Sequence, residues 1–265
     1  MQKIRRFIVA ALLASFLCGP CLGDAEKDLS ALIEKVQQKI GENKREKADY
    51  AEDFEAFDAL LEKYKDDKSE EVARILLMKA MLSIQILQDT DTGMAELKKL
   101  VVQFPESESA QMAKSVFQEY EMKAKLAVGA EFPDFEEKDT DGEPLSIGKF
   151  KGKVVLVDFW ATWCGPCVQE LPHVLDAYKT YADKGFEIVG ISLDKDQSAL
   201  TKFTKRQKMT WPQYYDGKGW ENKLAQYYGI RSIPATFLID QDGKIAAKDL
   251  RGDALSKAIA GLLEK

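Results

Sequence analysis

The run Val154-Val155-Leu156-Val157-Asp158-Phe159-Trp160 is apolar at every position but one. Successive side chains of a strand point to opposite faces, so such a run must be covered on both sides. Within a few residues the period changes, and Leu171, Val174, Leu175, Tyr178 and Tyr181 recur at helical spacing. A buried strand that hands over directly to an amphipathic helix demands a layered α/β fold. Downstream, Glu187 to Leu193 reads as a second buried strand, Gln197 to Gln207 as a helix, and Trp220 to Tyr228 as a shorter helix stopped by Gly229. Ala235 to Ile239, the Asp242-Gly243 turn and Lys244 to Ala247 predict a hairpin, followed by a helix from Ala254 to Leu263. A smaller hairpin, Phe135 to Lys138 with Leu145 to Ile147, is expected upstream. Residues 128–265 are thus predicted to form an α/β domain, a mixed sheet with helices on both faces.

Residues 24–127 have a different character. They are charge-rich, with Leu29, Leu32, Ile33, Val36 and Ile40, then Phe54, Phe57, Leu60, Leu61 and Tyr64, at the spacing of amphipathic helices. A shift of about 40 residues, within the range of helical repeats, lays Phe57 on Leu97, Leu60 on Leu100, Tyr64 on Phe104 and Ala73 on Ala113. This internal echo predicts an all-α domain of helical hairpins of the tetratricopeptide (TPR) kind; with two degenerate copies, a plain helical bundle fits as well.

The first 23 residues stand apart again: Lys3, Arg5 and Arg6, an apolar run from Phe7 to Leu17, then small residues. That three-part order is the plan of a signal peptide for export, and the run is short for a membrane span. Cleavage after Gly23 or Ala25 is expected, with an uncleaved N-terminal membrane anchor as the alternative. The expected address is periplasmic or secreted. Loss of residues 1–23 moves the net charge from -6 to -9, a balance that argues against nucleic acid as a partner. It also reduces the four cysteines to Cys164 and Cys167.

These two lie at the strand-to-helix junction, in Trp163-Cys164-Gly165-Pro166-Cys167. Disulfide exchange needs a thiolate that attacks and a second thiol that resolves the mixed disulfide, and this pair supplies both. The free N–H groups and positive dipole end at a helix start favour a negative sulfur, so the Cys164 thiol is expected to be acidified. Trp160 is expected in the core, and Trp163 half exposed beside the thiols. The same tetrapeptide at Cys18 to Cys21 has neither a buried strand before it nor an amphipathic helix after it, and is read as coincidence.

The stretch from Val157 to Cys167, the Glu170-Leu171-Pro172 that follows, and Gly229-Ile230-Arg231-Ser232-Ile233-Pro234-Ala235-Thr236 together resemble the thioredoxin superfamily. Within it, the likeness is to TlpA/ResA-like secreted thiol-disulfide oxidoreductases, over residues 128–265 only. The resemblance implies a thioredoxin-like fold, Cys164 as nucleophile, Cys167 as resolving thiol and a redox-active disulfide between them. It implies that Asp158 is a buried carboxylate that exchanges a proton with Cys167. Pro234 would be cis, leaving the backbone of Ile233 open to an extended substrate, with Trp163 beside it as a further substrate contact. Glu170 would modulate the thiols; a solvated helix residue is the alternative. The partners implied are proteins with disulfides and a membrane-bound electron donor, with a protein partner for the helical domain. Cytochrome c maturation is one role the family allows.

No cofactor is expected. A zinc site needs four ligands, and beside the two cysteines only His173 is at hand. Peroxidase chemistry of the peroxiredoxin kind would want Thr where Ala161 stands. A non-catalytic adaptor acting through the helical domain is the alternative of a different class.

Overall fold

A computed structural model describes residues 24–264. The chain divides into two compact units at Gln118/Glu119, inside a helix, nine residues before the boundary at residue 127 expected from composition. The signal peptide and Cys18 to Cys21 lie outside the described residues.

The first unit holds α1 (Asp24–Gly41), α2 (Ala51–Lys63), α3 (Glu70–Gln85), α4 (Thr90–Gln103) and the start of α5 (Glu108–Lys125). Leu29, Leu32 and Val36 of α1 share a core with Phe57 of α2 and with Ile75, Met78 and Leu82 of α3. Helix α3 is buried from Val72 to Ile84 at every position but the half-buried Arg74, which makes it the centre of the unit. Gly93 of α4 lets the two backbones approach: a Cβ there would lie 2.3 Å from Ile84 Cγ1 and 2.8 Å from the Ala80 carbonyl. Of the positions matched by the internal echo, Phe57 and Leu97 are both buried, as are Ala73 and Ala113, whereas Leu60 and Tyr64 are half-buried where Leu100 and Phe104 are buried, so the echo holds in burial for two of its four pairs. The start of α5 is bound by Glu70, whose carboxylate accepts from the Ser109 hydroxyl at 2.6 Å and from its N–H at 3.2 Å. Among the described residues no helix is long and apolar enough to cross a membrane.

The second unit opens with the antiparallel pair β1 (Glu137–Lys138) and β2 (Pro144–Leu145). Its main sheet has the order β5-β4-β3-β6-β7, with β3 (Val154–Trp160), β4 (Phe186–Ser192), β5 (Gln213–Tyr215), β6 (Ala235–Ile239) and β7 (Ile245–Lys248). Strand β3 runs parallel to β4 and antiparallel to β6, so the sheet is mixed. Every residue of β3 except Asp158 is buried, whichever face it points to, so both faces are covered. The covering helices are α6 (Gly165–Tyr181), α7 (Gln197–Gln207), α8 (Lys223–Tyr227) and α9 (Asp253–Leu263).

Two details depart from expectation. The helix expected from Trp220 to Tyr228 is broken into a 3-10 turn, Gly219–Glu221, and the short α8. The Asn222 side chain makes the break: its Oδ1 accepts from the Ala225 N–H at 3.0 Å and its Nδ2 donates to Asp216. Strand β5 was not expected. It exists because Gly190 of β4 leaves room for the Gln213 side chain, whose Oε1 accepts from the Trp160 indole at 3.0 Å.

Candidate active site

Cys164 is the N-cap residue of α6, with extended backbone, and its sulfur accepts a hydrogen bond from the Cys167 N–H at 3.2 Å. Pro166 sits in the first turn, where its missing N–H costs nothing. The two sulfurs form a disulfide. A sulfur capping a helix start faces free N–H groups and the positive dipole end, the setting that favours its thiolate once reduced. Solvent exposure does not separate the pair: Cys164 is 5% exposed and Cys167 8%, so both thiol positions are covered. Their difference is one of place on the helix.

Cys167 lines a small cavity of about 20 Å³, enough for about one water. Asp158, Glu170, Pro234, Thr236 and Arg251 also line it. Asp158 sits on β3 opposite Gly190 and Thr236. It retains some accessible area because it looks into the cavity, yet protein surrounds it. Burial pushes its carboxyl up to about 7, helped by the Glu170 charge and opposed by Arg251. Glu170 is half-buried and accepts the Gly252 N–H at 2.5 Å, so it is not a solvated helix residue.

The Ile233-Pro234 peptide is cis. Both residues are half-buried, and the peptide groups of Ile233 are not taken up by hydrogen bonds among the described residues. Trp160 is buried in the core as expected, while Trp163 is 54% exposed. The Trp163 ring lies 6.1 Å, centroid to centroid, from that of Trp220, itself 42% exposed.

Three participants escaped the sequence reading. In the sequence Trp220 reads only as a helix start. Arg251 carries no motif, and only its position after the last strand, at the sheet end that bears the site, hints at it. The third is Asp194, just past β4 and 2% exposed. Its carboxylate accepts from the Thr162 N–H at 3.1 Å, the Thr162 hydroxyl at 2.6 Å and the Ser192 hydroxyl at 2.8 Å. The signal was a polar pair, Ser192 and Asp194, at the carboxyl end of a buried parallel strand, where α/β sheets place their sites.

The family profile described as Redoxin matches residues 127–261. The thiol-disulfide oxidoreductase ResA of Bacillus thuringiensis subsp. konkukian is 34% identical over 141 residues, which are 53% of this chain and 79% of that protein. ResA of Bacillus subtilis strain 168 is 32% identical over 123 residues, 46% of this chain and 67% of its own length. The C-terminal domain of a candidate thiol-disulfide oxidoreductase from Bacteroides thetaiotaomicron is 35% identical with a TM-score of 0.50, over 53% of this chain and 98% of that one. A helix-capping cysteine with its partner one turn on is the arrangement that disulfide exchange requires, and with these matches the chain belongs, through residues 127–261, to the redoxins as a TlpA/ResA-like thiol-disulfide oxidoreductase of the thioredoxin superfamily.

Proposed function

We propose that this protein is exported to the periplasm or beyond and reduces disulfides in protein substrates. The observation that carries the reading is the pairing of a helix-capping Cys164 with a Cys167 that shares a cavity with a carboxyl titrating near neutrality. In the reduced enzyme, the Cys164 thiolate attacks one sulfur of the substrate disulfide. A Cys164-to-substrate bond forms, and the other substrate sulfur leaves as a thiolate that takes up a proton. Cys167 then gives its proton to the Asp158 carboxylate and attacks Cys164 Sγ. The second substrate sulfur leaves, and the enzyme holds the Cys164-Cys167 disulfide. Two electrons have passed from enzyme to substrate.

Asp158 suits this step because an acceptor that titrates near the working pH can both take and return a proton. The free peptide groups of Ile233 suit pairing with an extended substrate segment. Export is supported by the three-part order of residues 1–23. In an oxidising compartment the spent enzyme needs electrons, which a membrane-bound donor would supply. The helical unit, which has no cysteine, is assigned the recruitment of a protein partner.

Trapping tests the reading. With Cys167→Ser, a mixed disulfide with substrate protein should accumulate through Cys164, seen as a dithiothreitol-sensitive adduct on non-reducing gels. Cys164→Ser should form none and should lose insulin reduction. Adducts formed by Cys164→Ser and not by Cys167→Ser would reverse the roles.

A further inference from the structure

Leu250 and Arg251, between β7 and α9, line the cavity, and together with Gly252 they bind two parts of the site at once. The Arg251 guanidinium donates to the Pro234 carbonyl at 2.8 Å through Nη2, and through Nη1 to the Thr236 hydroxyl at 3.0 Å and the Leu250 carbonyl at 2.7 Å. The next N–H, that of Gly252, goes to Glu170. Thr236 is the β6 partner of Asp158, so one side chain joins the cis-proline loop to the strand position facing the acid.

Arginine stays charged at any pH a protein meets, and its planar fork holds a fixed orientation once bonded. Here the bonds go to neutral oxygens. Its carboxylate neighbour, Asp249, stands at 3.9 Å, beyond hydrogen-bond distance. That ion pair is loose and Asp249 is 59% exposed, so it offsets the guanidinium charge only in part and the remainder acts on the cavity. In a small, poorly hydrated space such a charge favours the ionised form of a nearby acid.

The other groups that face Asp158 are few. Helix α6 contributes Cys167 and Glu170, β6 the Thr236 hydroxyl and α9 the apolar Leu255, while at Gly190 of β4 the uncharged Gln213 side chain fills the space a Cβ would take. His173, on α6, comes near Gly252, where an added Cβ would lie 4.0 Å from its Cε1.

We propose that Arg251 is a positioning residue of the exchange reaction, a fixed cation that ties the Ile233-Pro234 loop to the acid's cavity and sets the pH at which Asp158 accepts the Cys167 proton. The proposal rests on the role given to Asp158 above. Removing the cation makes Asp158 hold its proton more tightly, so less carboxylate is present at pH 7 and resolution slows.

The test uses the full chain and follows decay of a preformed Cys164 mixed disulfide across pH in Arg251→Gln, Arg251→Lys, Asp158→Asn and His173→Gln. In parallel, the Asp158 side-chain carbon is titrated by NMR in the oxidised protein. Arg251→Gln should raise both midpoints by about one pH unit, the low end for loss of a close opposite charge. At pH 7 that is a roughly fivefold slower resolution for an acid titrating near neutrality. Arg251→Lys keeps the charge and should keep the wild-type midpoints, as should His173→Gln. A uniform loss of rate at every pH in Arg251→Gln, with midpoints unmoved, would overturn the proposal and leave the fork a structural tie. If Arg251→Gln does not fold, Arg251→Met carries the same comparison. Wild-type resolution in Asp158→Asn would instead sink the acid's own role, and that variant alone tells the two failures apart.

Discussion

Thr162 gives both its backbone N–H and its hydroxyl to the buried carboxylate of Asp194, at 3.1 and 2.6 Å. Two residues before Cys164, the approach to the redox helix is thus pinned to the end of β4. Asp194→Ala would leave the Thr162 donors and the Ser192 hydroxyl without their acceptor in a dry setting. A loss of about 2–3 kcal/mol is expected from unmet buried polar groups. Thr162→Val, which keeps the N–H bond, should cost about 1 kcal/mol. Urea unfolding of the oxidised protein measures both, and equal, negligible losses would show that the pin carries no stability.

Asp158 links stability to pH. Its folded-state value of about 7 stands above the 3.8 of a free carboxyl, so the folded protein holds this proton more tightly than the unfolded chain. The group is therefore neutral in its cost below pH 4, and it increasingly destabilises the fold as pH rises toward 7. Asp158→Asn removes that dependence. The variant should match wild type near pH 4 and exceed it above pH 7, by at most about 4 kcal/mol for a shift of this size. Denaturation midpoints of the oxidised forms at pH 4, 5.5, 7 and 8 check the sign; a gain that is the same at all four would refute the linkage.

Trp163 and Trp220 expose a pair of rings beside the disulfide. Exposed aromatic area next to a reactive bond gains energy when an apolar side chain of the substrate covers it. Trp220→Ala should raise KM severalfold for peptides with an aromatic residue next to the disulfide, and leave the rate with a small disulfide such as oxidised dithiothreitol unchanged. A loss common to both would point to damage at Cys164.

Among the described residues no cation is bonded to Cys164, and the residues between the thiols are glycine and proline. With no charge to stabilise its thiolate beyond the helix start, the couple is expected nearer the about -270 mV of thioredoxin than the about -120 mV of the oxidant DsbA. Equilibration with glutathione buffers measures it. A value near that of the oxidant would turn the protein into a disulfide donor.

The parts of the fold that could be read in advance were those whose burial is uniform over several residues. Strand β3, the helix Gln197–Gln207 and strand Ala235–Ile239 carry their own periodicity or apolar continuity, and their bounds match the expected ones closely. Strand β5 has three residues and depends on the absence of a side chain at Gly190, a fact about a neighbour rather than about itself. The break at Asn222 turns on one buried amide. At the site, Cys164 and Cys167 could be recognised from their place at a strand-to-helix junction, and Asp158, Glu170 and Pro234 through the family resemblance. Asp194 and Arg251 join them only through the parallel and antiparallel neighbours of β3, and pairing of that range leaves no local pattern.

Strand order also sets a sequence of events. Strand β6, which supplies Thr236 and follows directly on Pro234, pairs with β3 from about seventy residues beyond the cysteines, and Arg251 comes later still. A chain emerging from its N-terminus presents both thiols before the edge that faces them exists. Until β6 docks, Cys164 is an ordinary thiol at a helix start, without the Ile233 backbone or the closed acid cavity. Truncation anywhere before Pro234 would therefore leave thiols able to react with any oxidant or stray disulfide, and nothing to choose among them.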